Sequence, residues 1–192
     1  MEKFKNSQNF QSLAGKILIA NPYCSFGDIF YKSILYIVAH SEYGSIGLII
    51  NKYANKLGLK KLYKISNKYI NEQEKPILIG GPVEPERSFI LHSSDYIKNI
   101  VFEKKGPLVV SSNVEIIKDI LEGKGPSNSL VILGYTGWEA GQLEQEIKNN
   151  YWLIANADES LIFEDNQQMK WNNALSRIGI ENQLLSPQMG MC

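Results

Sequence analysis

The sequence predicts an α+β fold, and three observations carry that prediction. Short apolar runs bounded by Gly, Pro and Asn recur along the 192 residues, as half-buried or buried strands do. Three segments carry the i, i+3, i+4, i+7 spacing of an amphipathic helix. The two kinds of element do not alternate regularly, so a repeating βαβ array is not expected. No repeat, low-complexity tract or linker divides the chain. Residues 1–14 read as a flexible polar arm and residues 15–192 as one domain, long enough to bury a sizeable core.

In order, KILIA from Gly15 onward reads as a strand stopped by Asn21-Pro22. Phe30 to Ala39 is a second strand, with Ile34, Tyr36, Ile37 and Val38 supplying β-branched and aromatic content. Glu42 to Ser45 is a turn, and Ile46 to Ile50 returns as the partner strand of a hairpin. Lys52, Lys56, Lys60, Lys64 and Lys68 recur every four residues, which on a helix makes a lysine row along one solvated side. Pro76 to Ile79 is a strand entering the Gly80-Gly81-Pro82 turn, and Ser88 to Leu91 is another. Asp95 to Lys105 is ambiguous between an edge strand and a charged turn. Pro107 to Ser111 is a strand, followed by a helix in which Ser112 and Glu115 form a capping box and Gly123 the stop. Tyr151 to Ala155 and Leu161 to Phe163 read as strands. Trp171, Ala174, Leu175 and Ile178 share a helical face closed by Gly179.

The stretch Leu130 to Asn150 organises the rest. Its apolar run to Leu133 predicts a buried strand broken by Gly134, and Thr136 with Glu139 has capping-box spacing for a helix start. Trp138, Leu143 and Ile147 would then share one helical face, with Glu139 and Glu146 seven apart on one side. A strand, a glycine turn and an acidic helix in succession make this the expected place of a site.

Composition bounds the function. An apolar fraction of 44% and a charged fraction of 21% are those of a soluble globular protein. Formal net charge is zero, so a protein that coats nucleic acid is not expected. No run approaches the ~20 apolar residues of a membrane helix, and the polar first twelve residues lack the apolar core of a secretory signal. Two cysteines, Cys24 and the terminal Cys192, fit a reducing compartment, and the expected location is the cytoplasm.

No catalytic set is complete. His40 and His92 each follow an apolar strand, but no metal-ligand spacing accompanies them, so no metal or cofactor is expected. GYTGW lacks the G-x-S-x-G pattern of a nucleophile elbow, and Thr136 serves as an N-cap without any chemistry. The glycine turns at Gly80 and Gly123 are neither P-loops nor GxGxxG fingerprints.

Five motifs together resemble the AlgH/YqgE family of bacterial proteins. They are GKILIANP (Gly15 to Pro22), SILYIVAH (Ser33 to His40), GSIGLIINK (Gly44 to Lys52), GGPVEPERSFILH (Gly80 to His92) and LGYTGWEAGQLEQEIKNNYWL (Leu133 to Leu153). The resemblance runs from about Gly15 to Gly179, with Tyr53 standing where proline is usual and Ser88 where glycine is usual. It implies a bifurcated, mostly antiparallel β-sheet folded into a pseudo-barrel with helices packed outside. It also implies a cytosolic protein of no established activity, linked genetically to regulation of alginate production and hence labelled a transcriptional regulator. No catalytic residue carries over.

The reading that results is a non-enzymatic binding or regulatory protein whose partner is an unknown protein or small ligand. His40, Asn51, Arg87, His92, Trp138, Gln142 and Glu146 are its candidate surface. Several of them lie at strand ends, where side chains converge on clefts. The alternative is an enzyme or ligand binder for an anionic substrate, with Arg87 as clamp, a histidine for proton transfer and Glu146 to orient it.

Overall fold

The apolar runs of this chain become strands buried on both faces. A computed structural model describes residues 11–24, 27, 29–54, 76–96, 98 and 108–180. Its strands are β1 (Lys16–Ala20), β2 (Ile34–Ser41), β3 (Gly44–Ile49), β4 (Ile77–Ile79), β5 (Val83–Ser93), β6 (Leu108–Ser111), β7 (Ser129–Glu139) and β8 (Trp152–Asn156). Its helices are α1 (Val114–Leu121), α2 (Gln142–Lys148), α3 (Glu159–Ile162) and α4 (Gln167–Arg177). The strand order is β6-β5-β7-β3-β2-β1-β8, antiparallel throughout, with β4 added parallel to β7. This is the curled, mostly antiparallel α+β half-barrel that the motifs imply.

Period-two alternation divides the core. Ile17, Ile19, Ile34, Tyr36 and Leu48 turn to one face with Leu161, Trp171 and Leu175 of α3 and α4. Leu18, Leu35, Ile37 and Ile49 turn to the other with Leu143 of α2 and the rings of Trp138 and Trp152. A strand buried on both sides reads as continuous apolar sequence, which is why KILIA and ILYIV show no polar alternation.

The sheet divides along β7. Its first half pairs with β4 from Val131 to Leu133, and its last residues, Thr136 to Glu139, pair with β3. Gly134 lies at the division with φ +69°, and Gly80 and Gly81 cross it closely. A Cβ on Gly80 would sit 2.3 Å from the Gly134 carbonyl oxygen, and one on Gly81 2.2 Å from that of Tyr135. Three glycines are therefore required for two backbones to meet here. On the opposite edge, the six residues of β5 from Val83 to Ser88 span only three of β7, Leu133 to Tyr135, so Glu84 to Arg87 leave the ladder as an exposed bulge.

Several local expectations change. β7 does not end at Gly134, and Thr136 is not an N-cap: it lies buried in the strand and donates to the Gly80 carbonyl at 3.1 Å. The helix begins only at Gln142, after Gly141 in the left-handed region at φ +77°. Glu139 and Glu146 consequently do not share a helix. Leu161 to Phe163 is not a strand; Asp158 caps the short α3. Asn113 rather than Ser112 caps α1, and Asn166 caps α4. Four helices, not three, stand among the described residues. Within the segment read as an arm, Ser12 Oγ donates to the His40 carbonyl at 3.0 Å and the Leu13 amide to His40 Nδ1 at 2.8 Å. Cys24 is buried, with its Sγ 3.4 Å from the Asn150 carbonyl oxygen. The lysine row beyond Lys52, most of Asp95 to Lys105 and the tail from Glu181 lie outside the described residues.

Candidate functional site

Helix α2 carries the chemistry, because β7 delivers Trp138 to one side of it and β8 delivers Trp152. Trp138 and Trp152 are both buried, and their rings meet edge to face, 6.3 Å apart at 84°. Room for the Trp138 ring comes from Gly47 on the neighbouring strand, where a Cβ would lie 3.0 Å from it. Phe30 stands edge to face against Trp152 at 6.0 Å and 89°. The two indoles are thus packed at right angles, the preferred geometry of aromatic quadrupoles.

Both indole N–H groups converge on one carboxylate. Trp138 Nε1 donates to Glu146 Oε2 at 2.8 Å, and Trp152 Nε1 donates to the same oxygen at 2.7 Å. Gln142, one helical turn earlier, donates from Nε2 to Glu146 Oε1 at 2.9 Å. Its own Oε1 accepts the Glu139 amide at 3.0 Å, which fixes the start of α2 in place of a side-chain cap. These groups line a cleft of about 440 Å³, with Thr136, Pro82, Val83 and Tyr151 on its walls. That volume falls within the range of small-molecule sites.

The other candidates are placed elsewhere. His40 lies on the far side of α2: Nδ1 accepts the Leu13 amide at 2.8 Å, so Nε2 carries the proton and donates to Glu144 at 2.9 Å. It is an anchor of α2 rather than a lining residue of the cleft. Asn51 is buried, its Oδ1 accepting from Ile34 N at 2.9 Å and its Nδ2 donating to Lys32 O at 2.9 Å. His92 is fully buried; Nδ1 donates to the Ser93 carbonyl at 2.8 Å and Nε2 accepts from Ser111 at 2.9 Å. Burial holds its pKa below the usual 6.5. Arg87 sits on the exposed bulge, paired with Glu84 at 3.2 Å and stacked over Phe89 at 5.1 Å.

Four of the seven candidates therefore meet around α2, and Asn51, Arg87 and His92 do not. The strands bearing His40 and His92 are separated by β3 and β7, about 14 Å at the usual strand spacing. The histidine–arginine constellation needed for an anionic substrate does not form. Among the described residues no group of three or more His, Cys, Asp or Glu is placed to hold a metal ion.

Sequence reasoning missed Trp152, Phe30 and Lys170. Trp152 and Phe30 were legible only as aromatics within strand-like runs, although Phe30 lies in the turn before β2. Lys170, on the apolar side of α4, is fully buried and donates to Ile162 O at 2.6 Å and Ile50 O at 3.3 Å. A lysine two residues after one glutamine and one residue before a core tryptophan carries no sequence mark of burial.

The sequence profile described as AlgH-like matches residues 17–183. A UPF0301 protein of Rickettsia canadensis is 48% identical over 182 residues, covering 94% of this chain and 96% of the relative. A UPF0301 protein of Rickettsia felis is 47% identical with the same coverage. The solution structure of the AlgH protein from Pseudomonas aeruginosa is similar with a TM-score of 0.74 and 32% identity, covering 100% of both chains. A crystal structure of a Corynebacterium diphtheriae protein has a TM-score of 0.65 at 21% identity, covering 92% of this chain and 90% of the other, a likeness of fold.

Proposed function

This chain belongs to the AlgH-like family, and from that premise we propose that it is a non-enzymatic binding protein whose ligand cleft lies between β7, α2 and β8. The observation that supports the reading is the convergence of two buried indole N–H groups on Glu146 in the wall of a 440 Å³ cleft. Two tryptophans held at right angles give a rigid contact surface at low entropic cost. Glu146 already accepts three hydrogen bonds, which suits a fixed recognition group better than a proton carrier.

A regulatory role would act through the same cleft, with ligand occupancy altering what α2 presents to a partner. We place this role in the cytoplasm, in keeping with the balanced charge and ordinary globular composition. Direct nucleic-acid binding is no part of the reading.

The test uses the three indole N–H resonances of the intact protein. Trp138 and Trp152 report on the cleft, whereas Trp171 donates to Ala20 O at 2.9 Å in the core and serves as an internal control. A mixture of cationic, neutral and anionic fragments should contain members that shift the first two saturably and leave Trp171 in place. If no fragment of any charge does so, the cleft is not a ligand site.

A further inference from the structure

We propose that the cleft takes a small organic cation, an alkylammonium or guanidinium group seated against Glu146 and the surrounding rings. The proposal rests on the reading of the cleft as a ligand site and adds the ligand's charge class.

The first argument is charge. Among the described residues that line the cleft, Glu146 alone carries one, so the wall has a formal charge of −1. Ionised groups in partly dry surroundings are attracted by opposite charge far more strongly than in bulk water. An anion would meet Glu146 as a like charge and find no cationic side chain in the wall to offset it.

The second argument counts acceptor positions. A carboxylate offers about four lone-pair directions. Oε2 takes the two indole donors and Oε1 takes Gln142, which leaves acceptor capacity on Oε1. A group that brings N–H donors with a positive charge completes that set. A hydroxyl could donate but would leave the charge unmatched.

The third argument is aromatic. Phe30, Trp152 and Trp138 follow one another at near-right angles, 89° and then 84°, with centroids 6.0 and 6.3 Å apart. Rings so arranged turn faces in more than one direction, as the walls of an aromatic cage do, and tryptophan is the strongest cation–π partner among them. Donation of both indole N–H groups to a carboxylate also polarises the rings toward greater electron density, which strengthens their attraction for a cation.

Four probes with the same chain separate charge from shape: n-butylammonium, n-butylguanidinium, n-butanol and butyrate. Each is titrated into the full chain while the indole N–H resonances are followed. Both cations should shift Trp138 and Trp152 saturably, with affinities about tenfold or more above those of butanol and butyrate, and Trp171 should not move. Glu146→Gln should abolish that preference. Should this variant fail to fold, Phe30→Leu removes one ring without touching any hydrogen bond to Glu146, and it should weaken the cations more than it weakens butanol. Equal or tighter binding of butanol or butyrate would overturn the charge assignment and leave the cleft standing as a ligand site. A cation preference unchanged in Glu146→Gln, or in Phe30→Leu where that variant is used, would also overturn it. Silence of all four probes overturns the cation assignment, and the broader fragment mixture then decides on the cleft itself.

Discussion

Lys170→Met should change how the stability of this protein depends on pH, and the size of the change follows from the structure. Lys170 is 0% exposed, and burial lowers its pKa from the ordinary 10.5 to about 8, partly opposed by Glu164 and Asp165. The unfolded chain therefore holds this proton more tightly than the folded one between pH 8 and 10.5. Stability contributed by the lysine must rise with pH across that window and be lowest where both states are charged, below pH 8. From pH 7 to pH 10 the linkage relation gives a gain of about 2.5 kcal/mol. Methionine keeps the length of the side chain without the charge, so the variant lacks this gain. It also deprives Ile50 O and Ile162 O of a donor, a loss of about 1 kcal/mol each that is independent of pH in this range. Tyrosine titration is common to both proteins and cancels. Urea denaturation of each protein at pH 7 and pH 10 measures the difference. A stability gap between them that stays constant within about 0.5 kcal/mol would show that Lys170 is not held in a desolvated site.

Three further outcomes are expected. Glu146→Ala should destabilise the protein by about 2–4 kcal/mol, since it strands two buried indole donors, while Glu146→Gln should lose less; denaturant midpoints decide, and a loss below about 0.5 kcal/mol for alanine would remove the carboxylate from its role. Gly81→Ala should fail to give soluble folded protein, because the new Cβ falls 2.2 Å from a backbone oxygen, whereas Gly141→Ala meets nothing within 4 Å and should cost only the ~1–2 kcal/mol of its left-handed backbone. Stability should fall as pH drops from 6.5 through the lowered folded pKa of His92, because the unfolded chain takes up that proton first. His92→Gln should flatten that limb of the melting temperature against pH, and an unchanged slope would show that the ring titrates freely.

The fold was legible where side chains alternate or run apolar without interruption, and obscure where one residue type serves two structures. β1, β4, β6 and β8 lie within a residue or two of their sequence-derived limits, since a β-branched run bounded by turn residues has few other uses. Thr136 and Glu139 misled because T-x-x-E is shared by helix caps and by strands that alternate inward and outward. The alternation was present to be read: Ile132, Gly134, Thr136 and Trp138 are buried, and Val131, Leu133, Tyr135, Gly137 and Glu139 are less so. Gly134 disguised it by resembling a strand end, when its function is to let two backbones cross. His92 and Asn51 looked like surface groups for a related reason. A polar residue at a strand end serves equally well as a ligand contact or as the partner of buried backbone, and only the third dimension distinguishes them.

The candidate site was legible in place but not in form, and chain geometry accounts for both. Trp138, Gln142, Glu146 and Trp152 fall within one short stretch that runs from β7 through α2 into β8. Closing so short a loop costs little entropy, and two N–H bonds to a carboxylate, each stronger than a neutral bond, reward the closure. The left-handed Gly141 before α2 and Asn150 after it, at φ +77° and +60°, turn the chain sharply enough for the flanking tryptophans to reach one glutamate. The segment thus builds a cleft wall from local sequence, while the division of the sheet at Gly134 frees the end of β7 to pair with β3 and hold Trp138 against that wall. His40 completes the arrangement from the opposite side by fixing Glu144, two residues before Glu146 and so on the other face of α2. Helix α2 is consequently clamped from both sides, and the orientation of the Glu146 carboxylate is set by the fold before any ligand arrives.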